Sequence, residues 1–516
     1  MPTDLGRAGA MTTSTTSSRV DDILHRSAAR TPDRTALVFA DRTWTYAELD
    51  DAVTRAAARL LGLGATKGDR IAAYGRNSDA YLIGYLACAR AGLVHVPVNF
   101  ALQGEELAYL LEQSGSSMVL TDPALRSAVD GLRSRTGIEQ VLELRGGAGS
   151  LLTDASEGPV PELDVEVVDT DLVQLLYTSG TTSRPKGAMM THRALVHEYL
   201  SSLVALDLSA DDDPLHAMPL YHSAQMHVFL MPWLAVGATN TLVETPDPTD
   251  LLRRIETDRH GAFFAAPTLW VALAGHPEFA DRDLSSLRKA YYGASIMPGP
   301  VLERLRTTLP ELGFYNCFGQ SEIGPLAAVL RPEEHDDRPS SAGRAVLFVE
   351  LRVVDGEGHD VAPGEPGELV FRSPQLCEGY WDKPEDTAEA FRGGWFHSGD
   401  LVRADAEGYI EIVDRIKDVI NTGGVMVASR EIEDVLFAHD QVAEAAVVGM
   451  PDEKWIEAVT AFVVPAPGAD TDKLPEALIE HVRERLAPFK VPKAVRVVTE
   501  LPRNASGKIL KRELRD

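Results

Sequence analysis

The stretch YTSGTTSRPKG, Tyr177 to Gly187, constrains this chain more than any other, because it sets hydroxyls, turn-forming residues and a lysine between an apolar run and a helix. Leu172, Val173, Leu175 and Leu176 read as a buried strand, and Thr191 as the cap of a helix whose apolar stripe uses Leu195, Tyr199 and Leu203. A loop in that position offers backbone N–H groups, hydroxyl donors and Lys186 to a polyphosphate. It lacks the Gly-Lys-Ser/Thr that opens the helix of a Walker loop, so a kinase-type fold does not follow.

The rest of the chain reads as a soluble α/β protein with more than one core. At 516 residues it exceeds what one compact core serves, and a hydrophobic share of 44% can supply two. A formal charge of −27 argues against nucleic acid or an anionic membrane surface as partner. Cys88, Cys317 and Cys377 show neither metal-ligand nor redox spacing and are read as packing residues in a reducing, cytoplasmic setting. Met1 to Val20 is rich in Ser, Thr and Gly, lacks the apolar core of a signal peptide, and reads as disordered. The uncharged run Met226 to Val243 is interrupted by His227, Pro232, Gly237 and Asn240, so it reads as a buried strand and helix, and no integral membrane segment is expected.

Strands and helices alternate after the start. Thr45 and Glu48 form a capping-box pattern before a helix through Leu49, Val53 and Leu60 that Gly62 and Gly64 can stop. A strand at Arg70 to Tyr74, a helix around Ala80 to Ala91 and a strand at Val94 to Val98 follow. Beyond Asp414 the pattern resets into a unit of roughly a hundred residues. There Ser429 can cap a helix through Ile432, Val435 and Leu436; strands are expected at Val442 to Met450, Trp455 to Val464 and Val495 to Val498, with a helix at Leu474 to Leu486.

Further segments recur in a definite order: PLYH at Pro219 to His222, YYGAS at Tyr291 to Ser295, FGQSE at Phe318 to Glu322, WFHSGD at Trp395 to Asp400, DRIKDVI at Asp414 to Ile420, and NASGKILKREL at Asn504 to Leu514. With the loop at Tyr177, this ordered set resembles the adenylate-forming superfamily of acyl-CoA synthetases, luciferases and peptide-synthetase adenylation domains, and looks most like the bacterial fatty acyl-CoA synthetases. The resemblance implies a large N-terminal region of mixed sheets flanked by helices plus a small β-barrel, residues 21–414, and a small mobile α/β lid, residues 415–516. It also implies ATP, Mg²⁺ and CoA, with a homodimer as the one assembly kept open.

Residue by residue, the resemblance implies that Thr178, Ser179, Gly180, Thr181, Thr182 and Lys186 hold the β and γ phosphates. Glu322 looks like the Mg²⁺ carboxylate, a single acidic ligand suited to an ion that keeps waters and substrate oxygens. Ser321, often Thr in the family, can donate to the α-phosphate; Phe318, often Tyr, and the adjoining Gly319 face adenine, as do Gly293, Ala294 and Ser295. Asp400 matches the acid that accepts from the ribose hydroxyls, followed by Arg415 at the junction, while Ser398 stands where Thr is common. Lys508 matches the lysine that serves acyl-adenylate formation. Lys417 maps to the hinge, and Gly423 and Gly424 to the pantetheine tunnel, where Met426 replaces a common Asn. His222 is a gate or carboxylate contact, with a structural histidine as the alternative.

Substrate choice is expected between His222 and Trp233, around Gly293 to Ser295 and at Tyr315 to Gln320. Met226, Val228, Phe229, Leu230 and Trp233 are read as apolar walls without a cation for a second carboxylate, which disfavours a diacid. That favours a medium- or long-chain fatty acid joined to CoA, with Trp233→Ala widening and Gly293→Leu narrowing the pocket. An aryl or other cyclic acid, loading of a carrier protein, and an inactive nucleotide- or acyl-binding regulator are the alternatives. The joint presence of Lys186, Glu322, Asp400, Arg415 and Lys508 weighs against the last.

Overall fold

The polar caps read from the sequence form where local chemistry demands them. In the computed structural model, which describes residues 18–178, 184–295, 297, 299–452, 454–503 and 509–515, Thr45 Oγ1 accepts from Glu48 N at 3.2 Å while Glu48 Oε2 accepts from Thr45 N at 2.9 Å. The helix they open, Tyr46–Gly62, buries Leu49, Val53, Ala57 and Leu60. Thr191 likewise accepts from Ala194 N at 3.1 Å and opens the helix His192–Ala205. Arg19 and Val20, read with the start as disordered, are packed: both are buried, and Val20 N–H donates to His192 Nδ1 at 3.1 Å.

Among the described residues the strands form four sheets. A six-stranded sheet runs Gln140–Glu143, Met118–Thr121, Arg70–Tyr74, Val94–Val98, Leu172–Thr178, Lys186–Thr191. A nine-stranded sheet carries, in order from one edge, Arg344–Ala345, Ala328–Leu330, Gly313–Phe318, Lys289–Gly293, Ala262–Phe264, Pro214–His216, Asn240–Leu242, Thr35–Phe39 and Arg42–Thr45. Helices bury the faces that short parallel strands cannot leave in water. The helix Asp79–Arg90 is buried on every side, as its Ala- and Leu-rich sequence requires.

The place of the expected small barrel is taken by four antiparallel strands, Glu350–Val354, Pro366–Arg372, Phe396–Ala404 and Ile410–Arg415, tied to the nine-stranded sheet by a bridge between Gly343 and Ile410. The chain leaves that sheet at Arg415 and, after the single turn Ile416–Asp418, enters a five-stranded unit with its own core of Ile420, Ile432, Leu436, Val447, Val459, Leu474 and Leu478. Its helices are Ser429–Phe437 and Leu474–Arg483, and its long strands Val442–Asp452 and Ile456–Pro465. No helix among the described residues is long and apolar enough to cross a membrane.

Two local expectations change. The phosphate-type loop does not lead directly into a helix: Lys186–Thr191 is a strand pairing antiparallel with Leu172–Thr178, Thr178 opposite Lys186, so the loop closes a hairpin. Gly187 to Met190 can extend there because the apolar partner strand leaves its N–H and C=O groups to be paired. Ser429 does not cap its helix; its N–H and hydroxyl both donate to Asp414 Oδ2, at 2.6 and 2.8 Å.

Candidate active site

Three consecutive side chains, Gln320, Ser321 and Glu322, follow the strand Gly313–Phe318 and reach three different parts of the molecule. Glu322, 8% exposed, accepts at Oε1 from Thr178 Oγ1 (3.2 Å) on the loop hairpin and from Tyr380 OH (3.0 Å). Burial, with the Glu322 carboxylate beside it, pushes the Tyr380 phenol far up, so it remains a donor. Ser321 Oγ lies 2.9 Å from Ser223 Oγ, in the segment after PLYH. Gln320 Nε2 donates to Asp400 Oδ2 at 2.7 Å and to the Ser398 carbonyl at 2.9 Å.

The backbone turn that allows this needs its glycines for close approach. A Cβ on Gly319 would lie 1.9 Å from the Pro325 carbonyl oxygen, and one on Gly293 would lie 2.2 Å from the Cys317 carbonyl oxygen. Gly293 thus serves the pairing of Lys289–Gly293 with Gly313–Phe318, in which it faces Cys317. Ala294, with φ 65°, and Ser295 are exposed just beyond that strand end, and Phe318 and Gly319 are half-buried beside it. Gly293→Leu should therefore unsettle the strand pair rather than select short acids. The expected result is a loss of about 1–3 kcal/mol or more in a urea titration, with the ranking of acids unchanged.

Asp400, 4% exposed, also pairs with Arg415, whose Nε lies 2.9 Å from Oδ1 and whose Nη1 donates to the Ser398 carbonyl at 2.9 Å. Ser398 Oγ accepts from Asp400 N at 3.0 Å, so serine fixes this carboxylate's backbone without the methyl of threonine. Lys186 Nζ pairs with Asp386 and lies 5.3 Å from the centre of the Tyr380 ring. Asp386 thus occupies the ammonium that a phosphate would need.

His222 is half-buried in the tight segment before a π-helical turn, Ala224–Leu230, and desolvation holds its imidazole below the ordinary value. Among the described residues the apolar side chains that follow are packed into two cores rather than lining a pocket, which corrects the sequence reading. Met226 and Leu230 pack into the core around the helix Asp79–Arg90, while Val228, Phe229 and Trp233 pack into the core of the nine-stranded sheet. Phe229 stacks on Phe264 with ring centres 4.2 Å apart, and Trp233 Nε1 donates to buried Asp212 at 3.0 Å. This segment is a wedge between two cores: His227 Nε2 lies 2.7 Å from Gln174 Oε1 on one side, and Gln225 Nε2 lies 2.8 Å from His216 Nδ1 on the other.

Lys417 is exposed in the turn between the four-stranded sheet and the small domain. Gly423 (φ 64°) and Gly424 (φ 86°) form the exposed tip joining Ile420–Thr422 to Val425–Val427, with Gly423 N–H donating to the Trp455 carbonyl of the same domain. Ser179, Gly180, Thr181, Thr182 and Lys508 lie outside the described residues.

Tyr380 and Asp386 escaped the sequence reading, whereas Ser223 and Gln320 stood only inside the spans expected to set substrate choice, neither with a role of its own. Only Gln320 carried a signal, its place between Phe318 and Glu322.

The profile of the AMP-binding enzyme family matches residues 24–381, and that of the AMP-binding enzyme C-terminal domain matches residues 431–508. A feruloyl-CoA synthase of Amycolatopsis sp is 39% identical over 490 residues, covering 95% of this chain and 97% of that one. A medium/long-chain-fatty-acid–CoA ligase of Mycobacterium tuberculosis is 34% identical, over 94% of this chain and 88% of its own. Among solved structures, an anthranilate CoA ligase in complex with anthranoyl-AMP superposes with a TM-score of 0.90 at 26% identity, covering 97% of both chains.

Proposed function

The chain belongs to the AMP-binding enzyme family and is an ATP-dependent acid–CoA ligase, and we propose that the acid it takes carries an aromatic or other ring rather than a long unbranched chain. The observation that carries the ligase reading to named residues is the turn Gln320, Ser321, Glu322, which ties the loop hairpin, the segment after PLYH and the Asp400–Arg415 pair into one site.

In the first half-reaction a carboxylate oxygen bonds to the α-phosphorus of ATP, the bond from that phosphorus to the bridging oxygen breaks, and pyrophosphate leaves. Two anions must meet, so the protein's task is positioning and charge neutralisation. Thr178, Ser179, Gly180, Thr181, Thr182 and Lys186 are proposed to hold the leaving phosphates, which requires Lys186 to exchange Asp386 for phosphate. Glu322 is one carboxylate beside that loop, a donor set that fits Mg²⁺ bound through one acidic ligand and substrate oxygens. Such an ion, when bound, would neutralise phosphate charge. Asp400, with one oxygen toward Arg415 and the other toward Gln320, is proposed to receive the ribose hydroxyls, and Gly293, Ala294, Ser295, Phe318 and Gly319 to border adenine. Ser321 is proposed to donate to the α-phosphate and His222 to border the carboxylate.

In the second half-reaction the thiol sulfur of CoA bonds to the acyl carbon, the bond to AMP breaks, and the thiol proton is released. Rotation about Lys417 is proposed to bring Gly423 and Gly424 to the thiol's path, since both are exposed at a tip where a Cβ on Gly424 would meet nothing and one on Gly423 only the Trp455 ring at 3.4 Å.

The ring preference rests on the wedge. An unbranched chain gains about 0.8 kcal/mol per buried methylene only where a channel receives it, and Phe229, Phe264, Trp233 and Tyr291 are packed on one another where such a channel was expected. The similar feruloyl-CoA synthase and anthranilate ligase agree with a compact, flat acid. The fatty-acid reading stays as the second one, favoured by the 34% identical fatty-acid ligase.

Pyrophosphate release over a panel of aryl, fused-ring, saturated and dicarboxylic acids, with and without CoA, tests both layers. Activity with a ring acid exceeding that of every saturated acid by about tenfold, equivalent to roughly 1.4 kcal/mol, is the expected result. A saturated acid of about eight or more carbons ahead by that margin selects the fatty-acid reading. No release with any acid overturns the ligase.

A further inference from the structure

The segment that follows Lys508 in the sequence is bound to both sides of the proposed hinge. Lys511, on the short turn Lys511–Leu514, has a side chain only 16% exposed; its Nζ lies 2.7 Å from Ser429 Oγ and 2.8 Å from Glu433 Oε1. Ser429 passes the contact on, donating from N and Oγ to Asp414, the first residue of DRIKDVI and part of the last strand of the large region. Four residues further along, Arg515 Nη2 reaches Asp418 Oδ1 at 3.3 Å, immediately after Lys417. Arg430 Nη1 adds a 2.6 Å bond to the Ile412 carbonyl.

These contacts form a built unit. Glu433 also accepts from Val447 N at 2.7 Å, and burial raises its carboxyl, while Glu433 and Asp414 hold the Lys511 ammonium up against the opposing effect of burial. Ile509 and Leu514 pack with Ala446, Val448 and Phe462, so apolar contacts alone would keep the tail on its sheet. Those contacts give no reason for a lysine to enter a nearly dry position and end exactly three residues after Lys508, facing the hinge.

We propose that Lys511 is a positioning residue for acyl-adenylate formation: through Ser429 and Glu433 it pins the tail that carries Lys508 to Asp414 on the last strand of the large region, a contact across Lys417 that rotation there must release before the second half-reaction. The inference rests on the reading that Lys508 serves that step. An ammonium that must meet the reacting oxygens tolerates little displacement, since a 1 Å error in placement can cost about 10²-fold.

The test uses the full-length enzyme and the best acid of the panel, measuring adenylation by pyrophosphate exchange and thioester formation from preformed acyl-adenylate and CoA. Lys511→Met is expected to lower adenylation by about tenfold or more, with the thioester half nearly unchanged and Lys511→Arg restoring most of the loss. Because Lys511→Met strands buried Glu433, Ser429→Ala is run beside it; that variant keeps the Lys511–Glu433 pair, and the same half-reaction should fall by a smaller factor. Lys508→Ala separates the two layers. If it abolishes adenylation while Ser429→Ala and a folded Lys511→Met match the wild type or lose both halves equally, the positioning role is overturned and the reading of Lys508 stands. If Lys508→Ala spares adenylation, that reading fails and this inference with it.

Discussion

Lys508→Ala should lower acyl-adenylate formation by about 10²-fold or more while leaving thioester formation from preformed acyl-adenylate far less affected. The expectation follows from what the step needs. Negative charge gathers between the carboxylate oxygen and the α-phosphate as they approach, and a donor aimed at developing charge is worth about 10²–10³ in rate when removed. Lys186 and Glu322 sit around the loop hairpin and Asp400 and Arg415 at the four-stranded sheet. A further cation is therefore wanted at the carboxylate, and Lys508 stands within NASGKILKREL, the last of the ordered motifs. Pyrophosphate exchange and a single-turnover thioester assay on one preparation check it. Equal losses in both halves, with unchanged thermal unfolding, would remove Lys508 from the first step.

What could be read from the sequence was short-range chemistry. Thr45 with Glu48, and Thr191 with Ala194, declare their helices because the partners lie three residues apart. The motif residues Glu322, Asp400 and Arg415 were equally visible, each carrying a charge in a patterned segment. Their partners were not. Tyr380 is 58 residues from Glu322, Asp386 is 200 residues from Lys186, and neither stands in a pattern that marks it. The strand Lys186–Thr191 was missed because its extended state is stabilised by pairing with Leu172–Thr178, whereas the helix cap behind it gave the stronger local signal. Ser429 misled for the same reason in reverse: a cap-like residue at a helix start, its hydroxyl taken by Asp414 from another domain. Gly293 was expected to face adenine, but the close approach that requires a glycine there is that of its neighbouring strand at Cys317.

The apolar wedge shows the difference between an apolar pattern and its use, and Trp233→Ala decides it. Trp233 is 1% exposed, touches the rings of Phe229, His216 and Tyr291, and donates its indole N–H to Asp212. Truncation removes a large buried side chain and leaves a cavity, a loss of about 3–5 kcal/mol. Asp212, 3% exposed, would keep Ser209 N at 2.8 Å, Ser209 Oγ at 2.9 Å and Lys289 Nζ at 2.9 Å, but lose the indole donor, so the cost should sit toward the upper part of that range. Trp233→Phe, which keeps most of the volume and removes only the donor, should lose about 1–3 kcal/mol. Urea midpoints give both values, and kcat/KM across the acid panel gives the functional contrast. A core tryptophan predicts lower stability with the ranking of acids kept. A Trp233→Ala enzyme of wild-type stability that now prefers longer or bulkier acids would instead place the indole in the acyl pocket, and the ring preference argued from this wedge would lose its support.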